Sequence, residues 1–267
     1  MKVYISVDIE GVAGATGKEE IRPEHRYFEQ FRQQMTAEAA AACEGALDTG
    51  AEELLVNDGH GWGRTIDPRG LPKAARLIRG WRNDPMATAQ LEGLDESFDA
   101  ILLLGMHARG ASGGNPFAHT MSSTLYHEFR LNGAPISEPV FNMHAAALVG
   151  VPVVLVSGDE HVCAESREFN PAIVTVPVKE GIGDSTISPH PDVAAECIRR
   201  GAKEALSGDL SKCLSPKLGR FIVERHYRDP RWAMKASFYP GARLENEDTV
   251  VFETDDFYEV LRMQLLV

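Results

Sequence analysis

The sequence predicts an α/β fold with a mostly parallel sheet sandwiched by helices, and three observations carry that reading. First, four short runs are apolar almost throughout: Val3–Gly11, Glu53–Asn57, Asp99–Gly105 and Val151–Ser157. Runs of this kind mark strands covered on both faces. Second, helical or loop sequence separates each run from the next, as crossovers between parallel strands require. Third, each run ends in polar or turn residues: Asp8-Ile9-Glu10-Gly11, Asp58-Gly59-His60-Gly61, Met106-His107-Ala108-Arg109 and Gly158-Asp159-Glu160. In open α/β sheets, ligands bind beyond the carboxyl ends of the strands.

The first strand, Val3 to Gly11, has period-two alternation, which places Asp8 and Glu10 on one face and Val3, Ile5, Val7 and Ile9 on the other. A glycine-containing loop, Gly11 to Gly17, leads to a helix from about Pro23 to Leu47 whose second half is rich in alanine. Gly50 is its expected C-terminal cap. After the second and third strands comes Gly110 to Pro116, a glycine-rich segment without the Lys-Ser/Thr of a phosphate-binding loop. We read it as a surface loop that lays His119 against the site, although loop backbone could equally satisfy a histidine there. Asn132-Gly133 signals a hairpin, with Glu138 just past it and free to reach inward. A helix over Glu160–Glu168, a strand over Ile173–Val178 and a helix over Pro191–Leu206 follow.

The Pro- and Ser-containing passage at Cys213–Pro216 divides the chain into a metal-binding catalytic α/β domain, residues 1–214, and a small α+β C-terminal domain, residues 215–267. The second part reads as strand Arg220–Tyr227, helix Pro230–Phe238, strand Thr249–Glu253 and closing helix Asp256–Leu266, with no residue that looks catalytic.

The chain has 267 residues, 43% hydrophobic and 25% charged, ordinary values for a soluble globular protein. A net charge of −12 argues against nucleic acid as a partner. No apolar run approaches the roughly 20 residues that cross a bilayer, and the N-terminus enters a strand without a secretory pattern, so a cytoplasmic protein is expected. Cys43, Cys163, Cys197 and Cys213 are scattered and form neither a thiolate metal site nor an expected disulfide framework.

Two carboxylates at the end of a hydrophobic strand repel each other unless a cation lies between them. Alone, Asp-x-Glu is equally compatible with one acid capping a loop and the other solvated. His60 and His107, each placed after a buried strand, change that balance, because the fold brings both to the rim that carries Asp8 and Glu10. A metal site is then the better reading.

Taken together, these segments resemble the D-aminopeptidases of the M55 metallopeptidase family. The resemblance rests on Ser6–Gly11, Val56–His60, Leu91–Asp95, Gly105–Arg109, His119-Thr120-Met121, Glu138 with Asn142, and Val151 through Asp159. It covers most of the chain and is densest from Met1 to Glu160. Around Glu138, Ser137 and Val140 stand where relatives are expected to carry glycine.

The resemblance implies two zinc ions per subunit, with Asp8 bridging them, Glu10 and His107 serving one, and His60 and Glu138 the other. It also implies His119 as the catalytic histidine and a homo-oligomer, a decamer with an internal channel. The implied reaction is removal of N-terminal residues, D-amino acids such as D-Ala, from short peptides. A carboxylate and imidazole set without thiolates fits zinc, and a metal-activated water with His119 moving a proton fits the chemistry. Two other readings remain. Asp8-Ile9-Glu10 is also similar to the first motif of two-metal 3′–5′ exonucleases, whose late His- or Tyr-containing motif is missing here. A non-catalytic metal- or peptide-binding protein could share the same fold.

Overall fold

Strand β1 (Lys2–Val7) lies in the interior of a seven-stranded sheet, and every residue from Val3 to Val7 is buried. The computed structural model describes residues 1–267. β1 pairs in parallel with β2 (Glu53–Asp58) on one side and β4 (Ala100–Met106) on the other. β3 (Ala75–Ile78) extends the sheet beyond β2, and β7 (Val153–Asp159), β8 (Val174–Ile182) and β9 (Ser185–Ile187) extend it beyond β4. All these pairings are parallel except the last, the short β8–β9 hairpin.

Helices cover the faces. α1 (Phe28–Leu47) packs against α4 (Pro191–Ser207), and their contact is close because a Cβ added at Gly45 would lie 2.4 Å from Arg199 O. The alanine-rich face of α1 makes that approach possible. α1 starts at Phe28 rather than near Pro23, and the left-handed turn at Gly50 follows two residues after the Asp48 cap. α3 (Glu160–Phe169) opens with Asp159, whose side chain accepts from Val162 N at 2.8 Å.

A second, antiparallel sheet joins distant parts of the chain. β5 (Tyr126–Leu131) and β6 (Ala134–Pro135) form the hairpin expected at Asn132-Gly133. β5 then pairs with β10 (Phe221–Tyr227), which pairs with β12 (Thr249–Thr254), and β11 (Ala242–Leu244) forms the far edge. The strands beyond residue 214 thus complete a sheet begun at Tyr126. α5 (Pro230–Ala236) and α6 (Phe257–Leu266) lie in this region, and α6 reaches back to pack on the 3-10 turn Pro85–Ala89 and on α2 (Glu138–Val149). The hydrophobic core is continuous across both sheets. All four cysteines are free, and no helix is long and apolar enough to cross a membrane.

One expectation needs correction: strand β1 stops at Val7, so Asp8 and Glu10 stand in the turn after it and not on one strand face. Glu138 lies just past the β5–β6 hairpin, as expected, where it is the first residue of α2.

Candidate metal centre

Five chain segments converge where the strands of the parallel sheet end. After Val7 the backbone turns across β4: Asp8 N donates to Leu104 O at 2.9 Å and Gly11 N to Gly105 O at 2.7 Å. Only glycine allows this crossing. A Cβ at Gly11 would lie 1.8 Å from Met106 O, and one at Gly105, whose φ is +65°, would lie 2.0 Å from Asp8 O. The crossing brings the carboxylates of Asp8 and Glu10 beside His107, just past β4.

Buried polar groups fix the backbone around these residues. Lys179, only 3% exposed, donates from Nζ to Glu10 O and, at 2.8 Å, to Ala15 O. Asp159 Oδ2 accepts from Ala108 N at 2.6 Å and from Asn115 Nδ2 at 2.8 Å. One aspartate thereby caps α3 and holds the residue after His107.

His60, from the loop after β2, turns Nδ1 toward the first two acids, 3.0 Å from Asp8 Oδ1 and 2.7 Å from Glu10 Oε2. His107 faces the other way. Its Nδ1 lies 3.0 Å from Ala108 O, and a carbonyl can only accept, so Nδ1 carries hydrogen. Its Nε2 is buried without a hydrogen-bond partner, 3.4 Å from Glu138 Oε1 and 3.9 Å from Asp8 Oδ2. His119 stacks on His107 with ring centroids 4.3 Å apart. Its Nδ1 donates to Phe117 O at 2.7 Å, leaving Nε2 3.7 Å from Glu138 Oε1.

Glu138 owes its position to α2. As the first residue of the helix it sits at the positive end of the helix dipole. Its Oε1 accepts from Met121 N at 2.8 Å and its Oε2 from Gln90 Nε2 at 3.0 Å. The same amide of Gln90 reaches Asp8 Oδ2 at 3.1 Å, tying the two carboxylates together. Gln90 holds a left-handed backbone, φ 53°, and its carbonyl accepts from Ser6 Oγ at 2.7 Å and Asn57 Nδ2 at 2.8 Å. A non-glycine residue in that region carries strain that its surroundings must hold.

Asp8, Glu10 and His60 form one group with donor atoms within 4.8 Å of one another, and His107, His119 and Glu138 form a second. Asp8 touches both. The resemblance divides the residues otherwise, with Glu10 beside His107 and Glu138 beside His60. Here His60 Nδ1 turns toward the end of β1 while His107 Nε2 faces α2, so the nearest neighbours are exchanged.

The electrostatics ask for positive charge. Burial works against ionisation of Asp8, yet hydrogen bonds from Glu10 and His60 hold its carboxyl well below the usual range. Burial and the neighbouring Asp8 charge push Glu10 up. Burial opposes a charge on Glu138, but His107 beside it lowers its pKa. Burial likewise opposes a charge on His107, yet Glu138 outweighs it and pushes the imidazole up to about 10. His60 is pushed well above its ordinary value, the pull of Glu10 overcoming burial. A buried ring nitrogen with no partner, aimed between two carboxylates, fits a divalent cation. Oxygen and imidazole donors without thiolate suit zinc.

Asp8, Glu10, His60, Gln90, His119 and Glu138 line a cavity of about 420 Å³, into which Gln264 of α6 also projects. A larger cavity of about 790 Å³, between Arg109 and Phe169, contains none of the six predicted site residues. Five of the six predicted residues line the smaller cavity, and His107 is buried against Asp8, Glu138 and His119 beside it. Gln90, Asn115, Asp159, Lys179 and Gln264 were not predicted. Asp159 carried a sequence signal, an aspartate between a strand and a helix, but nothing in the sequence marks a left-handed glutamine or a buried lysine as part of a site.

Comparison with known proteins identifies the family and the fold. A sequence profile of the M55 peptidase family, described as D-aminopeptidase, matches residues 1–266. A D-aminopeptidase of Bacillus subtilis (strain 168) is 31% identical, with 100% of this chain and 96% of the relative aligned. A solved structure described as the Zn-dependent D-aminopeptidase DppA from Bacillus subtilis, a self-compartmentalizing protease, superposes with a TM-score of 0.92. It shares 30% sequence identity, and the match covers 100% of this chain and 96% of that one. The fold, the convergent acids and imidazoles and the full-length match lead to one conclusion: the chain is an enzyme of the M55 peptidase family, the D-aminopeptidases.

Proposed function

We propose that the chain is a zinc-dependent D-aminopeptidase that removes N-terminal residues, D-Ala among them, from short peptides. Two ions per subunit would be held by Asp8, Glu10, His60, His107 and Glu138, with Asp8 shared between them. The observation that carries this reading is His107 Nε2, buried and unpartnered between the carboxylates of Glu138 and Asp8. The zinc-dependent relative of the same fold supports the choice of metal.

When bound, the ions supply Lewis-acid polarisation of the peptide carbonyl and lower the pKa of a water. The protein's own residues do the rest. Asp8 and Glu138 are held in place by Gln90, so the carboxylates need no rearrangement. His119, fixed through Nδ1 by Phe117 O, presents Nε2 to the cavity and is the group that moves a proton toward the departing amine.

By likeness to the self-compartmentalizing relative, we also infer a homo-oligomer, a decamer. Phe238 and Trp62, 80% and 77% exposed, offer apolar area for such contacts. Light scattering should give ten chain masses.

The test of the activity is hydrolysis of D-Ala and L-Ala dipeptides and amides by protein stripped of metal and then reloaded with zinc. D-Ala release should vanish on chelation and return with zinc. Turnover that ignores chelation rejects the reading, and zinc uptake without hydrolysis of any peptide assigns the fold to a binding protein instead.

A further inference from the structure

A second cavity, also of about 420 Å³, opens on the other side of His119. It shares Glu10, His119 and Ser123 with the metal-centre cavity, so the two are continuous across the catalytic histidine. The walls differ in charge. Asp8, Glu10 and Glu138 line the metal-centre cavity, whereas Lys18, Arg22 and Arg228 line the second.

In a chain with 39 acidic and 27 basic residues, these three cations gather on one wall of a cavity. Some arginines, such as Arg199, Arg220 and Arg231, are matched to carboxylates at 2.6–3.0 Å. Lys18, Arg22 and Arg228 have no carboxylate within 4.0 Å. Arg228 is steadied instead by Ser123 O, to which its Nε donates at 3.0 Å, leaving the rest of its guanidinium fork free. They come from two remote segments, the loop after Gly11 and the end of β10, so their meeting is a product of the fold.

We propose that this cavity binds a carboxylate on the leaving side of the scissile bond, namely the free C-terminus of a short peptide. The proposal rests on the aminopeptidase reading and adds a rule for substrate choice. The metal-centre cavity takes the N-terminal residue, His119 stands at the bond to be broken, and the cationic cavity takes the opposite end. Each residue of an extended peptide adds about 3.3–3.6 Å, so cations one cavity away select for length as well as charge. A capped or long peptide forfeits the guanidinium–carboxylate contact, while a dipeptide or tripeptide keeps it.

The experiment compares zinc-loaded enzyme on D-Ala-D-Ala, on D-Ala-D-Ala amide and on D-Ala-D-Glu amide, which carries its carboxylate on a side chain. The free dipeptide should have a KM about tenfold below that of its amide, with kcat altered by less than about twofold. In an Arg22→Gln, Arg228→Gln double variant that preference should fall toward one, while zinc content by elemental analysis stays at the wild-type level. Equal KM for acid and amide in the wild type overturns the proposal. So does rescue of the amide by the D-Glu side chain to the level of the free dipeptide, which would assign the cations to an acidic residue. Loss of kcat in place of KM in the double variant also overturns it. If zinc-loaded enzyme cleaves none of the three, the aminopeptidase reading falls and this rule falls with it.

Discussion

Two buried histidines, His107 and His144, stand about 1% and 5% exposed in opposite surroundings. His107 lies at the rim of the parallel sheet among carboxylates, and the nearest of them, Glu138, overcomes burial to push its pKa up to about 10. His144, on the body of α2, lies among the rings of Phe169, Phe221 and Phe257, with centroids 5.4–6.0 Å away. Burial there is unopposed and pushes its pKa down to about 4. One helix thus carries both Glu138, which draws a neighbouring histidine's pKa up, and His144, whose pKa burial alone draws down. Burial by itself says nothing about function. What separates the two regions is whether an unbalanced charge was buried along with the ring.

The sharpest test of that contrast is to remove each ring. His107→Ala should lower kcat/KM for D-Ala peptides by about 10³-fold or more, because it deletes a metal donor. His144→Phe should leave kcat/KM within about twofold. Parallel steady-state assays with zinc analysis decide it, and comparable losses would erase the distinction. His119→Ala comes next: about 10²–10⁴-fold lower kcat with zinc retained separates proton transfer from metal holding inside the charged region. Gln90→Ala is expected to weaken zinc binding by about 10–100-fold in equilibrium dialysis, since it frees Asp8 and Glu138 without deleting either.

The smallest effect on activity, but a measurable one on stability, belongs to pH. His144 has a folded pKa near 4, below the ordinary value of about 6.5. The unfolded chain therefore binds its proton first as pH falls. The contribution of the neutral ring is complete above about pH 6.5 and is lost as pH drops toward 4, by up to about 3 kcal/mol. Urea unfolding at several pH values should show this slope in the wild type and a reduced one in His144→Phe. An identical slope in both would remove His144 from the comparison.

Much of this arrangement was legible in the sequence, for a physical reason. A strand covered on both faces must be apolar along its length, so β1, β2, β4 and β7 stood out, and the residues at their ends were candidates by position alone. Where the signal is periodic or local, it also worked: α4, α6 and the Asn132-Gly133 hairpin are where they were expected. Three features left no such trace. β3 is a half-buried edge strand of four residues that includes Arg76. α2 is buried almost all round from Glu138 to Ala147, so it has no polar stripe to reveal a helical period, and the helical origin of Glu138 was missed with it. The pairing of β5 with β10, Val223 opposite Leu131, joins residues that no local pattern connects. At the site, Asp8, Glu10, His60 and His107 were candidates from their residue type and their place after strands, whereas Glu138 and the role of His119 came from the family resemblance. Their supports were readable from neither, because Gln90 and Lys179 matter through a backbone angle and a buried amine that residue type does not disclose.

The proposed donors at residues 8, 10, 60, 107 and 138 come from segments that meet only when β1, β2, β4 and α2 have assembled. A nascent chain that has not yet released Glu138 from the ribosome holds no complete set, and neither does any proteolytic fragment lacking one segment. Ion capture at these residues would strengthen the finished fold alone. Under the proposed function the enzyme is in that sense self-timed: its cutting power arrives with its architecture.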